Sequence, residues 1–232
     1  MNKIIQPGDA VYEDRLLFFV DILGWSNAIN RSVDDPRKLE ILALVATAIE
    51  TFVVDSQLEG RGVTAAFFSD TLIGSWKPAD PVWTWWYIHK LQHLLNIILV
   101  LYGYYSRGSI TYGKLFHNGS IVFGPALLEA YRVEQSIAVF PRVVVCESAR
   151  QFLDEACENG PPSGPKTWYV LDFDGLHFLD VLWGSNLYHL EDRLREYRER
   201  DKDNSRLVEK HDWMLRYIAS DTIRRSCETP TP

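Results

Sequence analysis

The chain has 232 residues, of which 47% are apolar and 24% charged, and its formal net charge is −7. These proportions are typical of a globular protein with a well-developed core, so we expect a single domain with appendages. The acidic balance argues against a protein whose main partner is nucleic acid, and an anionic substrate would need metal ions or a few arginines held locally.

The N-terminal residues and the cysteines bear on where the chain works. The opening sequence MNKIIQPGDA has no apolar core and predicts no signal peptide. The most apolar later segment, Leu91–Tyr105, is interrupted by Gln92, His93 and Asn96 and is too short to span a bilayer. The three cysteines have neither paired nor metal-ligand spacing. We therefore expect a cytoplasmic protein without a membrane partner.

The first predicted element is a strand that ends in a carboxylate. Residues 16–26 read LLFFVDILGWS, and an uninterrupted apolar run of this kind predicts a strand buried on both faces. Asp21 at its end is costly to bury without a nearby cation. The turn formed by Leu23, Gly24 and Trp25 would aim free backbone N–H groups at an anion. Asp21 is thus either a capping residue or a metal ligand beside a phosphate-binding turn.

Helices and strands alternate along the rest of the chain. The patterns predict a helix at 37–55, strands at 63–68 and 71–76, a helix at 82–101, strands at 105–115 and 120–123 around a turn at 117–119, a helix at 125–137 and a strand at 142–146. Charged helices follow residue 186. This order indicates an α+β fold with an antiparallel-dominated sheet packed under helices. We predict one domain over 1–183 and a C-terminal helical extension over 184–232 packed on it.

A second carboxylate and two arginines could share the site of Asp21. Asp70 lies at the tip of the predicted hairpin, where an aspartate also has an ordinary turn role. Mg²⁺ is typically bound by one or two carboxylates together with substrate phosphates. Arg107 precedes a strand, and Arg132 lies in the helix after Gly124. Each arginine is either a surface charge or a group that steadies phosphate oxygens.

Four stretches, in this order, resemble the signature motifs of the class III nucleotidyl cyclases, the fold of adenylate and guanylate cyclases with its ferredoxin-like core. FVDILGWS resembles FxDIxGF(S/T), and FSDTLIGSW resembles the second metal motif, with Ser69 where Gly is usual. RGSITYG is similar to RxGIxxG, and VFGPALLEAYRVE is similar to WGxxVNxAxRM. The resemblance covers residues 16–149.

The resemblance implies a role for each matching residue. Asp21 and Asp70 would hold two divalent metal ions, Mn²⁺ or Mg²⁺, with the Ile22 backbone carbonyl as a further ligand. Arg107 would contact the triphosphate, and Arg132 would reach across the interface of a homodimer to stabilise the transition state. The implied reaction is in-line attack of the 3′-hydroxyl on the α-phosphorus, with pyrophosphate leaving.

The departures from the family's pattern are informative. Leu128 replaces the transition-state Asn, and Ala66 and Ile121 replace the pair that reads the adenine edge. Neither of those two side chains can hydrogen-bond a purine, so discrimination for purines would be lost. The triphosphate Lys has only weak candidates, which are Lys114, Arg142 and Lys166.

This pattern, together with the GPALLEAYR helix and the compact chain, is similar to the pyrimidine (uridylate or cytidylate) cyclases of bacterial Pycsar anti-phage systems. The resemblance implies conversion of UTP, or of CTP, to a cyclic nucleotide that activates a separate effector. One alternative is a purine cyclase with an unaligned pocket. Another is a catalytically silent cyclase-like module that binds a nucleotide or a partner. An RNA-binding α+β sheet is disfavoured by the acidic balance.

Overall fold

A computed structural model describes residues 10–58, 63–183, 187 and 189–228. The predicted start of the extension at 184 and the N-terminal nine residues, on which the absence of a signal peptide was predicted, lie outside the described residues. The chain divides into two compact units, Met1–Asp180 and Val181–Pro232. In the part of the chain that is described, no helix is long and apolar enough to cross a membrane.

The first unit contains all the described strands and five of the described helices. The strands are β1 (Glu13–Ile22), β2 (Thr64–Phe68), β3 (Thr71–Trp76), β4 (Ser106–Asn118), β5 (Ile121–Phe123), β6 (Val143–Val145), β7 (Tyr169–Leu171) and β8 (His177–Leu179). The helices are α1 (Trp25–Ser32), α2 (Pro36–Leu58), α3 (Pro81–Tyr102), α4 (Pro125–Ser136) and α5 (Glu147–Glu158).

The described strands form one sheet in the order β2-β3-β1-β4-β6-β8-β7, with β5 paired to the far end of β4. Every described pairing is antiparallel except that of β4 with β6. That parallel pair is joined through α4, as expected for strands that need a crossover connection. The predicted α+β fold with an antiparallel-dominated sheet is confirmed.

Strand β1 lies at the centre of the sheet between β3 and β4, and helices cover both of its faces. On one face Phe18 packs against Phe52 of α2, with ring centroids 5.9 Å apart. On the other face Leu17 and Phe19 belong to a core cluster with Ala126 and Ala130 of α4. The uninterrupted apolar run of β1 follows from burial on both faces.

Helix α4 is fastened along β4 by two buried hydroxyls. The hydroxyl of Thr111 donates to the Ala126 carbonyl over 3.2 Å, and the hydroxyl of Ser109 donates to the Ala130 carbonyl over 3.0 Å. Thr111 contacts the earlier α4 residue, and Ser109, which precedes Thr111 on β4, contacts the later one. The helix therefore runs antiparallel to the strand. Residues of α4 spaced by four from Ala126 therefore face the sheet.

The second unit contains two helices, α6 (Leu190–Arg200) and α7 (Ser205–Glu228), which form a helical hairpin. Asp201 in the connection lies 3.1 Å from the His211 ring, and Arg198 of α6 forms an ion pair with Asp212 of α7. These contacts join the two helices across a short loop.

Candidate active site

The end of β1 brings two carboxylate residues together. Asp21 is paired with Thr71 on β3 and with Arg107 on β4. Asp70 directly precedes Thr71 in the β2–β3 turn, and its backbone carbonyl accepts a hydrogen bond from the Ile22 N–H over 2.9 Å. Both carboxylate residues are half-buried. The three residues predicted to bind metal, Asp21, Ile22 and Asp70, thus lie side by side at one end of the sheet.

The turn that carries Asp70 has an unusual backbone conformation. Ser69 has a φ of 59°, in the left-handed region that side chains with a Cβ adopt at a cost of about 1 kcal/mol. This conformation explains why Gly is the expected residue at the position. Residues in such conformations cluster at functional sites, where the surroundings hold them in place.

Beside the carboxylates, the start of α1 offers backbone N–H groups to an anion. Gly24 has a φ of 82°, and a Cβ placed there would meet no atom within 4 Å, so the space in front of the turn is open. Within the described part of the chain, no side chain caps this helix, and its first turn has no acidic residue. The helix N-terminus is therefore suited to bind a phosphate.

The residues on either side of Gly24 are anchored in different ways. The Leu23 N–H donates to the Tyr105 carbonyl over 2.9 Å. The Trp25 side chain is only 6% exposed and packs edge-on against Tyr104, with ring centroids 5.9 Å apart. Trp25 can therefore serve a ligand only through its backbone, while its ring fixes the direction in which α1 leaves the sheet.

Arg107 lies at the same end of the sheet, but the structure pairs it with a residue that the sequence did not single out. Its guanidinium forms an ion pair with Glu134 of α4, whose side chain is 2% exposed. The other Glu134 oxygen accepts a hydrogen bond from the Gln135 side chain over 2.7 Å. Glu134 continues the four-residue spacing of Ala126 and Ala130, so a charged residue on this buried stripe was the signal that could have revealed it.

Arg132 is not brought to Asp21 within one protomer. It is exposed on α4 and lies two positions from both Ala130 and Glu134, which face the sheet. Two residues correspond to about 200° of rotation around a helix, so the Arg132 side chain leaves on the side away from the sheet. Leu128, one turn earlier on the same outward stripe, is 72% exposed.

The two positions assigned to base recognition lie in different places. Ala66 on β2 is paired with Ile73, which is paired with Phe19, so Ala66 shares the sheet face of Asp21. Ile121 on β5 is exposed and paired with Asn118. Asn118 lies eleven positions along β4 from Arg107, a run of about 36 Å. Within one protomer, Ala66 is near the carboxylates and Ile121 is far from them.

The weak candidates for the triphosphate cation have other surroundings. Lys114 forms an ion pair with Asp14 over 2.7 Å, and Asp14 lies seven positions along β1 from Asp21. The Arg142 side chain is fully buried and forms ion pairs with Asp172 and Asp174. Lys166 is exposed in the loop before β7. Arg142 therefore has a structural role, which removes it as a ligand for a substrate.

The donor set at the end of β1 fits a divalent metal ion that a substrate helps to hold. Asp21, Asp70 and the Ile22 carbonyl supply oxygen atoms, which suit Mg²⁺ and Mn²⁺. Among the described residues, no group of three or more His, Cys, Asp or Glu side chains is placed to hold a metal by itself. Two carboxylates completed by phosphate oxygens are compatible with that finding.

The opposite end of the same sheet face holds a polar network centred on the buried Arg15 side chain. Arg15 donates through Nε to the Ser75 hydroxyl over 2.8 Å and forms an ion pair with Glu13 over 2.9 Å. The Ser75 hydroxyl lies 2.8 Å from Nδ1 of His117. Burial, assisted by the nearby Arg15 charge, lowers the pKa of His117 to about 4.

This network predicts a loss of stability in mild acid. Between pH 6.5 and 4 the unfolded chain binds a proton at His117 and the folded chain does not, so stability falls as the pH is lowered. Lowering the pH from 6.5 to 5 should reduce the free energy of unfolding by about 1 kcal/mol, after allowance for solvent screening of a half-buried ring. Urea denaturation of the wild type and of His117→Asn at both pH values measures how much of this loss of stability is due to His117. An equal loss in the two proteins would show that His117 does not carry it.

Comparison with known proteins shows a likeness at the level of the fold. No protein-family profile and no curated protein matches the chain. Two structures of a bacterial light-regulated adenylyl cyclase superimpose with a TM-score of 0.50, at 11% and 12% identity, and cover 83% and 81% of this chain. The chain spans only 60% and 57% of their length. The adenylyl cyclase CyaB from P. aeruginosa gives a TM-score of 0.46 at 12% identity, covering 62% of this chain and 82% of its own. The fold of the chain is that of the class III cyclases.

Proposed function

We propose that the chain is a metal-dependent nucleotidyl cyclase that converts a pyrimidine nucleoside triphosphate, UTP in preference to CTP, to a 3′,5′-cyclic nucleotide and pyrophosphate. The observation that carries this proposal is the meeting of Asp21 and Asp70 beside the open start of α1, on a cyclase-like fold. Carboxylates that can hold divalent cations, next to N–H groups that can hold phosphate, suit a nucleoside triphosphate.

The residues of the site divide the work of the reaction. Asp21, Asp70 and the Ile22 carbonyl would hold two metal ions, which would lower the pKa of the 3′-hydroxyl and neutralise the leaving pyrophosphate. The backbone of the Leu23–Trp25 turn orients the triphosphate, and Arg107 steadies it at the same end of the sheet. Arg132 stabilises the charge that develops on the transferring phosphoryl group.

A homodimer is part of this proposal because Arg132 points away from the carboxylates of its own protomer. The outward stripe of α4 also carries Leu128, and its neighbour Tyr131 is 53% exposed. Exposed apolar side chains grouped around a functional arginine are typical of an interaction surface. Two copies arranged head to tail would bring Arg132 of each protomer to the site of the other.

The choice of a pyrimidine rests on Ala66 and Ile121. Neither side chain can donate or accept a hydrogen bond, so neither can satisfy the polar edge of a purine. A site with no polar partner for an adenine or guanine edge loses the discrimination that such partners provide. The preference for UTP over CTP rests on the resemblance alone.

The biological role in this proposal also rests on the resemblance. The cyclic nucleotide would act as a second messenger in bacterial anti-phage defence, and a separate effector chain would respond to it. Because nucleoside triphosphates are intracellular, the enzyme would work in the cytoplasm, without a nucleic-acid or membrane partner.

An end-point assay tests the proposed reaction. The purified protein is incubated separately with ATP, GTP, CTP and UTP in Mn²⁺ or Mg²⁺, and the products are identified by mass spectrometry beside an Asp21→Ala control. Cyclic UMP or cyclic CMP from the wild type alone is the expected result. Cyclic AMP or cyclic GMP would refute the argument from Ala66 and Ile121 and leave the cyclase reaction standing.

A second candidate function is a silent cyclase-like module that binds nucleotide without turnover. Two features favour it. Leu128 stands where the resembled family has a polar Asn, and the Arg107 guanidinium is already paired with Glu134. Nucleotide binding without any cyclic product in the same assay would identify this function.

A further inference from the structure

Helix α2 has an outer side that is apolar as well as exposed. Its inward side chains, which are buried, are those of Leu42, Val45, Ile49, Phe52 and Val53. On the outer side, Ile41 and Leu44 are 39% and 47% exposed, and residues 41–49 include no charged residue. A surface helix normally carries charged groups on the side away from the core, whereas a helix that is apolar all round is covered. The outer side of α2 therefore has the composition of a contact surface.

Two threonines on the outer side add to this apolar character. The hydroxyl of Thr47 donates to the Ala43 carbonyl over 2.8 Å, and the hydroxyl of Thr51 donates to the Thr47 carbonyl over 2.8 Å. Both hydroxyls thus use their donors within α2. An apolar partner could cover these threonines without the loss of a hydrogen bond.

Six residues of α2 recur at alternating spacings of four and three, which places them on one line along the helix. They form the α2 stripe, which consists of Arg37, Ile41, Leu44, Ala48, Thr51 and Asp55. All are exposed except Ala48, which is half-buried. The spacing is symmetric, so a second α2 that runs antiparallel would place Leu44 opposite Ala48 and Ile41 opposite Thr51. Each large apolar side chain would then meet a smaller one, which favours close packing.

The charges at the two ends of the α2 stripe are complementary in the same arrangement. Arg37 lies in the first turn of α2 and Asp55 in the last. Within one helix these positions are unfavourable, because the N-terminal end of the helix dipole favours acidic residues and the C-terminal end favours basic ones. The neighbouring Asp35 pairs with Lys38 over 2.9 Å. An antiparallel second copy would bring Arg37 of each protomer opposite Asp55 of the other, so both ends of the contact would gain an ion pair.

We propose that the α2 stripe is a contact surface for a second copy of the chain, whose own α2 packs antiparallel to it about a two-fold axis at the middle of the stripe. Helix α2 covers the Phe18 face of the sheet, whereas α4, which carries Arg132, covers the face of Leu17 and Phe19. The α2 contact and the proposed head-to-tail contact thus use different sides of the protomer, and together they would give an assembly larger than a dimer.

Disulfide crosslinking between two variants tests the antiparallel register. Tagged Arg37→Cys is mixed with untagged Asp55→Cys under mild oxidation, and the products are separated on a non-reducing gel. The mixture should give at least about fivefold more crosslinked dimer than either variant alone, because residue 37 lies opposite residue 55 while the two copies of residue 37 are about 27 Å apart. The wild type, with its three native cysteines, sets the background. A mixture that crosslinks no more than Arg37→Cys alone would overturn the proposal.

Sedimentation equilibrium tests the apolar part of the α2 stripe. A single pair of helices is a small interface, so the contact should be weak and is measured at about 100 µM protein. Leu44→Glu places a charge in the contact and should lower the weight-average mass about twofold. Leu39→Glu is the matched control, because Leu39 is 57% exposed and lies on another side of the same helix, two residues before Ile41. Equal masses of the wild type and a folded Leu44→Glu protein, with folding checked by thermal melts, would overturn the proposal.

A lipid surface is the other occupant that an apolar helix face could take, and co-sedimentation with phosphatidylcholine–phosphatidylserine vesicles tests it. Vesicle binding that Leu44→Glu abolishes without a change in mass would overturn the homotypic contact. None of these measurements involves turnover, so the inference is independent of the proposed function. The predicted crosslink in a protein that makes no cyclic nucleotide would support the α2 contact alone, and cyclic nucleotide formation without the crosslink would refute the α2 contact alone.

Discussion

Asp21→Asn is expected to lower cyclic nucleotide formation by about a thousandfold or more, because it removes a carboxylate that the reaction needs for both metal ions. A thousandfold loss corresponds to about 4 kcal/mol of transition-state stabilisation, which is within the range expected of metal-assisted chemistry. The fold should tolerate the change, since asparagine has the same shape and Asp21 is half-buried at the end of β1.

Initial rates measured over a range of Mn²⁺ concentrations, with the thermal melting temperature recorded alongside, check this expectation. Asp34→Asn is the matched control, because Asp34 is exposed before α2 and removing its charge should leave the rate unchanged. Retention of more than about a tenth of the wild-type rate by a folded Asp21→Asn protein would exclude Asp21 as an essential metal ligand.

The core of the fold was predictable because its central elements have unambiguous patterns. The apolar run that ends at Asp21 has no polar alternation, and a short run of this kind is typical of a strand covered on both faces. Gly124 and Pro125 marked the start of α4, and Pro81 opens α3 close to its predicted beginning. These signals are local, so a single sequence contains them.

Element ends were less predictable because they depend on partners. Strand β4 was expected to end at residue 115, with a turn at 117–119, but it continues to Asn118, where it pairs with Ile121. Gly119, with a φ of 61°, then makes the reversal. The added residues of β4 are stabilised by pairing with β5 and carry no pattern of their own.

The placement of Asp21 and Asp70 at one end of the sheet was predictable from the sequence, and the contacts of the charged residues around them were not. The motifs placed Asp21 and Asp70 together, and the structure brings both to the same strand end. No periodicity could show that Arg107 would pair with Glu134, since the partner of a buried charge is set by how the helix docks on the sheet. The same holds for Arg142, whose charge is satisfied by two aspartates far along the chain.

Mixing two inactive variants, Asp21→Asn and Arg132→Ala, is expected to restore about a quarter of the wild-type rate. In a head-to-tail dimer each site takes its carboxylates from one protomer and Arg132 from the other, so the mixed dimer contains one intact site and one doubly damaged site. Random assortment makes about half of the dimers mixed, and half of their sites are intact. Alone, Arg132→Ala should lose about a thousandfold, the loss typical of a transition-state arginine.

Co-refolded or co-expressed variants, assayed at matched total protein, measure this recovery. A mixture of Asp21→Asn with Asp70→Asn is the control: both substitutions damage the same half-site, so every site in every dimer lacks a carboxylate and the rate should stay at the level of the single variants. Recovery in the first mixture and not in the second would show that Arg132 acts on the partner's site, in agreement with its outward direction on α4. Failure of the first mixture while both variants form dimers with the wild type would mean that Arg132 acts within its own protomer, and the head-to-tail arrangement would have to be abandoned.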